Sequence, residues 1–161
     1  MKKISLIVVS TILLASVISL NSCKKEEEKA TKGLITGVTF TDWVDQDSNG
    51  DDWDSELQGY DPDIYFIIED QDGNVLYDLG SNNRKENVGD VESFGWDFSS
   101  VEINLDTEFY IRLYDYDDLS SNDNMGSCGG IKLRDYVNKE PSTIPVSCDN
   151  MEYTLSVSWA K

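Results

Sequence analysis

From Gly33 to the C-terminus, apolar side chains recur at every second residue and almost nowhere at helical spacing. That periodicity commits the chain to β-strands. Val101-Glu102-Ile103-Asn104-Leu105-Asp106 alternates, as does Tyr153-Thr154-Leu155-Ser156-Val157-Ser158-Trp159. Phe109, Ile111 and Leu113 form an inward row, with Tyr110, Arg112 and Tyr114 opposite. Leu34 through Thr41 is rich in β-branched residues and is expected to be the first strand. Ile64 through Ile68 is apolar at successive positions, which predicts a central strand covered on both faces. Asp72-Gly73 is a hairpin signal between Ile64–Glu69 and Asn74–Leu79, and Gly80-Ser81-Asn82-Asn83 reads as loop. Pro145 makes Thr143–Val146 an edge strand. About eight short strands with no intervening helices predict an all-β antiparallel sandwich in one domain.

The N-terminus obeys a different rule. Met1-Lys2-Lys3 precedes an uncharged apolar run from Ile4 to Leu20. This reads as a cleaved secretory signal over residues 1–22, and the run is at the short end for a membrane-spanning anchor. Leu20-Asn21-Ser22-Cys23 resembles the bacterial lipobox, which implies a lipidated Cys23 as the mature N-terminus. Acyl chains there would anchor the protein to a membrane. Cys23-Lys24-Lys25-Glu26-Glu27 is similar to the export signal of surface lipoproteins of the Bacteroidota. That likeness implies an outer-membrane lipoprotein displayed at the cell surface, the periplasmic face being the alternative. Residues 23–32 are charged, lack apolar periodicity and are expected to be a solvated tether, with the folded domain spanning 33–161. Outside the cytoplasm, Cys128 and Cys148 are expected to pair as a disulfide.

Charge narrows the function. Acidic residues number 31 against 13 basic ones, for a net −18. A chain so acidic lacks the basic footprint that a nucleic-acid binder needs. Histidine is absent, which removes histidine-based nucleophile activation, proton shuttling and zinc ligation. The chemistry left is carboxylate. It gathers in two loops between expected strands, Thr41 to Asp63 and Tyr114 to Asp123, with no Lys or Arg within either. A hard divalent cation compensates such a charge density. Calcium, with six to eight oxygen ligands in flexible geometry, fits better than magnesium. Asp115 and Asp117 flank one residue of extended chain and so project to the same side, while Asp123 follows a short polar loop that can turn back to them.

The first loop offers a further spacing. Asp45, Asp47, Asn49, Gly50 and Glu56 fit the EF-hand loop pattern, with Asp51 inside it. The flanking residues do not read as helices, so the expectation is a helix-free second metal loop at most. Trp43, Trp53 and Tyr60 beside it are expected either to stack on sugar rings or to cover the end of the core.

Leu113-Tyr114-Asp115-Tyr116-Asp117-Asp118-Leu119-Ser120-Ser121-Asn122-Asp123-Asn124-Met125-Gly126 resembles the third calcium loop of C2 domains. Asp54 through Gly59-Tyr60-Asp61-Pro62-Asp63-Ile64 resembles their first calcium loop, and Trp96-Asp97-Phe98 their aromatic strand after the second loop. The resemblance spans roughly residues 34 to 160. It implies an eight-stranded calcium-binding sandwich, in the permuted variant that begins at the strand before loop one. By position it implies Asp54, Asp61, Asp115, Asp117 and Asp123 as ligands, with Asp63 competing with Asp61. The long acidic loop leaves Asp47, Asp51 and Asp52 as alternatives to Asp54. The implied role is a non-catalytic binding module contacting phospholipid, glycan or protein. The alternative is a calcium-stabilised structural, adhesion or carbohydrate-binding module that does not touch lipid.

Overall fold

The computed structural model describes residues 28–44, 46, 47, 49–54, 61–89, 93–117 and 121–161. The expected signal segment, Cys23, Asp45, Glu56, Tyr60 and Leu119 lie outside the described residues. Eight strands are present: β1 (Lys32–Asp42), β2 (Ile64–Asp70), β3 (Val75–Asp78), β4 (Phe94–Asn104), β5 (Glu108–Asp115), β6 (Asp123–Lys132), β7 (Thr143–Cys148) and β8 (Met151–Ala160). They form two four-stranded antiparallel sheets, ordered β4-β1-β8-β7 and β3-β2-β5-β6. The predicted all-β sandwich is therefore what the chain adopts, and the acidic first loop directly follows β1.

The alternation places the core. Phe109, Ile111 and Leu113 on β5 face inward with no exposure, against Phe66 and Ile68 of β2 and Leu155 of β8. β2 is an interior strand, as expected, but only one of its faces is fully buried. Tyr65 and Ile67 on the outer face are half-buried, and Tyr65 stacks on Tyr114 of the neighbouring strand at 5.2 Å. The apolar run reflects this aromatic cover on the outer face rather than burial between layers.

The two sheets are stapled at one side. Cys128 of the edge strand β6 and Cys148 of the edge strand β7 form a disulfide, their Cα atoms 5.8 Å apart and 20 residues apart in sequence. Closing a loop of that length stabilises by about 3 kcal/mol through the unfolded chain. Replacing both cysteines by Ala is expected to lower the unfolding free energy by about that amount in urea melts.

The folded body begins earlier than the composition of the tether predicts. Ala30 is 4% exposed and belongs to the core. Its N–H donates to Glu140 Oε1 at 3.1 Å, Thr31 N–H donates to the carbonyl of Ala160 at 2.8 Å, and Lys29 Nζ donates to Asn138 Oδ1 at 3.0 Å. One small apolar residue among charges gives no periodicity to read, yet it is buried with the core. A chain beginning at Gly33 should melt a few degrees below one beginning at Glu28, since two backbone hydrogen bonds contribute about 1 kcal/mol each.

These contacts also fix polarity. Lys32 pairs with Ala160 and Asn104 at one end of β1, while Asp42 and Phe40 reach Glu152 and Phe94 at the other. Residues 28–31 therefore join the sandwich at the end opposite the acidic loops. Eleven residues of β1 separate the two ends by roughly 35 Å.

Candidate metal centre

Three connections meet at the end opposite Lys32: loop one between β1 and β2, loop two between β3 and β4, and loop three between β5 and β6. The inward row of β5 runs Phe109, Ile111, Leu113 and then Asp115, each 0% exposed. The same period that builds the core thus ends on a buried carboxylate. Asp117 follows two residues later and is partly buried, so both carboxylates lie on one side, as the extended spacing predicts. Asp54 of loop one, 6% exposed, comes over them from the other sheet.

Among the described residues, one oxygen from each of Asp54, Asp115 and Asp117 lies within 4.8 Å of the others. Asp115 Oδ1 accepts the main-chain N–H of Asp63 at 2.8 Å. Asp115 Oδ2 and Asp54 Oδ1 are buried and have no hydrogen-bond partner among the described residues. Buried carboxylate oxygens without donors are strongly unfavourable unless something neutralises them. The protonation equilibria record that strain. Burial, reinforced by the charges of Asp63, Asp117 and Asp61, pushes Asp54 up to about 6. Burial pushes Asp115 up to about 7, opposed by the Asp63 N–H and reinforced by Asp54, Asp117 and Asp63. An oxygen-only, anionic, half-enclosed group of this kind can hold a hard divalent cation.

The other expected ligands are placed differently. Asp61 is exposed, and its carboxylate occupies the space where a side chain at Gly89 of loop two would lie. Asp63 contributes its backbone to the group, but its carboxylate accepts from Arg84 Nε at 3.0 Å and from Asn87 N–H at 2.9 Å. Asp123 opens β6 opposite Asp115 in register, takes a strand position and is exposed, outside the group of three.

Within the EF-hand-like run, the described residues around Asp47 form a self-capped turn. Asp47 Oδ1 accepts from the N–H groups of Asn49 and Asp51, and Oδ2 accepts from Asn49 Nδ2. Gln46 pairs with Asp52, and Gly50 supplies the positive φ of 82°. The same device closes the β2–β3 hairpin, where Asp70 accepts from Asp72, Asn74 and the Asn74 amide around Gly73 at φ 80°. In the first loop the side chains of Asp47 and Asn49 thus serve turn formation. These backbone donors hold the Asp47 carboxyl below its ordinary range. Trp43 and Trp53 are half-buried over the core end. Trp43 sits edge-on to Phe94 at 4.7 Å, and Trp53 Nε1 donates to the carbonyl of Val44 at 3.0 Å.

Two residues that carry no local sequence signal shape this end. Asn122 Oδ1 accepts from Asp117 N–H at 3.2 Å and its Nδ2 donates to Tyr65 Oη at 2.9 Å, which ties loop three to the outer face of β2. Arg84 arrives from loop two. Neither acidic run contains a basic residue, so only the fold reveals that Arg84 and Lys85 lie at the same end.

No family model matches the chain, and no curated protein matches it. Solved structures with a similar fold include human GIVD cytosolic phospholipase A2 in complex with methyl gamma-linolenyl fluorophosphonate. There the TM-score is 0.49 at 12% identity, over 83% of this chain and 18% of that one. The paired C2 domains of extended-synaptotagmin 2 match with a TM-score of 0.42 at 16% identity, over 98% of this chain and 48% of theirs. The BON1-C2B structure matches with a TM-score of 0.47 at 8% identity, over 83% of this chain and 94% of that one. The chain spans less than half the length of the first two. At these identities the likeness is one of fold, and no binding or activity passes to this chain from it.

Proposed function

We propose that this protein is a calcium-binding, non-catalytic β-sandwich carried on a lipidated Cys23 at the outer membrane. The observation that carries the reading is the convergence of Asp54, Asp115 and Asp117 with two buried carboxylate oxygens left without donors among the described residues. A calcium ion would take those oxygens, remove the mutual repulsion and tie loop one to loop three. Loop carbonyls and water would complete its coordination. The absence of histidine, and the engagement of Cys128 and Cys148 in a disulfide, leave carboxylate oxygens as the main chemistry of the site, which supports binding rather than turnover.

The opposed ends of β1 bear on what the site contacts. With the tether anchored, the acidic loops would face away from the protein's own membrane. The net −18 would also oppose docking on anionic lipid. A glycan or protein approaching from outside fits this arrangement better than the lipid that holds the anchor. Because two of the three carboxylates are buried, the first effect of the ion is on stability. Thermal melts of the purified protein with calcium, magnesium and chelator test the reading. A hundredfold excess over the dissociation constant stabilises by about 2.7 kcal/mol. A calcium-selective rise in Tm is expected, and equal melts in calcium and chelator would overturn the reading.

A further inference from the structure

Arg84 touches all three loops of the acidic end. Its Nε donates to Asp63 Oδ2 of loop one at 3.0 Å, and its Nη1 donates to the carbonyl of Ser81 at 3.2 Å. Its Nη2 donates to Glu86 Oε1 at 3.3 Å, and its guanidinium carbon lies 4.3 Å above the Tyr116 ring of loop three. Asp63 is divided between two roles. Its N–H donates to Asp115 Oδ1 and its carbonyl accepts from Tyr116 N–H, so its backbone belongs to the carboxylate group. Its side chain is turned to Arg84 and to the N–H of Asn87. A planar guanidinium fixed by stacking and by three acceptors is a rigid partner for that carboxylate.

We propose that Arg84 is a resident counter-cation that withholds the Asp63 carboxylate from the Asp54, Asp115 and Asp117 site and so sets its calcium affinity below what four carboxylates would give. The inference rests on the cation reading above. Arg84 acts in two ways: it keeps one anionic ligand engaged, and it places a positive charge beside an incoming divalent ion. Its purpose in the fold is to join loops one, two and three without an ion, so that the site opens onto calcium only at high concentration.

Calorimetric titration of the purified protein with calcium tests this. Arg84→Gln is expected to bind calcium about tenfold more tightly than wild type, the scale of one unit charge beside a divalent ion in a half-solvated site. Arg84→Lys, which keeps the charge but loses the planar fork and the stack on Tyr116, should bind calcium with an affinity between those of wild type and Arg84→Gln. Adding Asp63→Asn to Arg84→Gln should return the affinity to near the wild-type value. If wild type binds calcium and Arg84→Gln binds equally or more weakly, the inference is wrong while the cation reading stands. If wild type takes up no calcium, the cation reading fails and this one with it. The wild-type protein gives a second readout that needs no folded variant. The Arg84 Nε–H resonance should stay hydrogen-bonded and slowly exchanging through calcium saturation. Its release would mean that Asp63 had swung to the ion, and would overturn the inference.

Discussion

Asp115→Asn should make the protein more stable in chelator and blind to calcium. Asp115 is fully buried, and one of its oxygens has no donor among the described residues. An Asn side chain of the same shape keeps the acceptor for the Asp63 N–H and points an amide donor toward Asp54 and Asp117. Removing a buried charge amid two like charges is expected to add about 2 kcal/mol to the stability of the ion-free protein. The same change removes a ligand, so the stabilisation of about 2.7 kcal/mol expected at a hundredfold calcium excess disappears. The two proteins should therefore exchange order: the variant melts higher in chelator and wild type catches or passes it in calcium. A variant that melts lower in chelator, or that keeps the full calcium shift, would contradict this placement of Asp115.

The pH dependence of stability should flatten on adding saturating calcium. Asp54 and Asp115 are raised in the folded protein to about 6 and about 7, above the ordinary carboxylate value near 4. Between those limits the folded state binds more protons than the unfolded chain, so stability falls as pH rises. In chelator, the Tm should decline from pH 5 upward, most steeply between pH 5 and 6, where the folded state holds both extra protons, and level off above pH 7. Asp47, Asp70, Asp106 and Glu108 are shifted the other way by hydrogen bonds. Their contributions are complete above about pH 5 and leave this window clear. Calcium binds the deprotonated carboxylates, so above pH 5 the calcium-bound protein and the unfolded chain hold equally few protons there, and with saturating calcium the Tm should stay level from pH 5 to pH 8. Melts across that range with and without calcium provide the check, and Asp115→Asn should flatten the decline seen in chelator. A Tm that rises with pH in chelator would mean that these carboxylates are neutralised by some other group.

The strands and half of the site are legible in the sequence for one reason. The period of two that makes Phe109, Ile111 and Leu113 a core row carries straight on to Asp115 and Asp117, so a local rule places both carboxylates. Asp54 can be named only by resemblance, because no local period governs a loop of that length. Asp63 and Asp123 illustrate two different obstacles. Asp63 is engaged by Arg84, 21 residues away in sequence, through a contact that exists only after loops one and two meet. Asp123 enters the β6 ladder opposite Asp115, and a strand start cannot be fixed to the residue from an Asn-Asp-Asn stretch. Asp47 and Asn49 show how one spacing can serve two devices. The Asp and Asn pattern of a calcium loop overlaps the pattern of an Asp-capped turn, and at Asp47 the carboxylate is satisfied by the turn. Ala30 is hidden because burial of one small residue leaves no pattern.

A crystal grown in calcium tests the central claim most directly. The expected result is a single ion, identified by anomalous scattering, bridging Asp54, Asp115 and Asp117 with oxygen distances of about 2.4 Å. Asp63 should remain on Arg84. A site in which the three carboxylates instead share protons or water at millimolar calcium, with no anomalous peak, would contradict it.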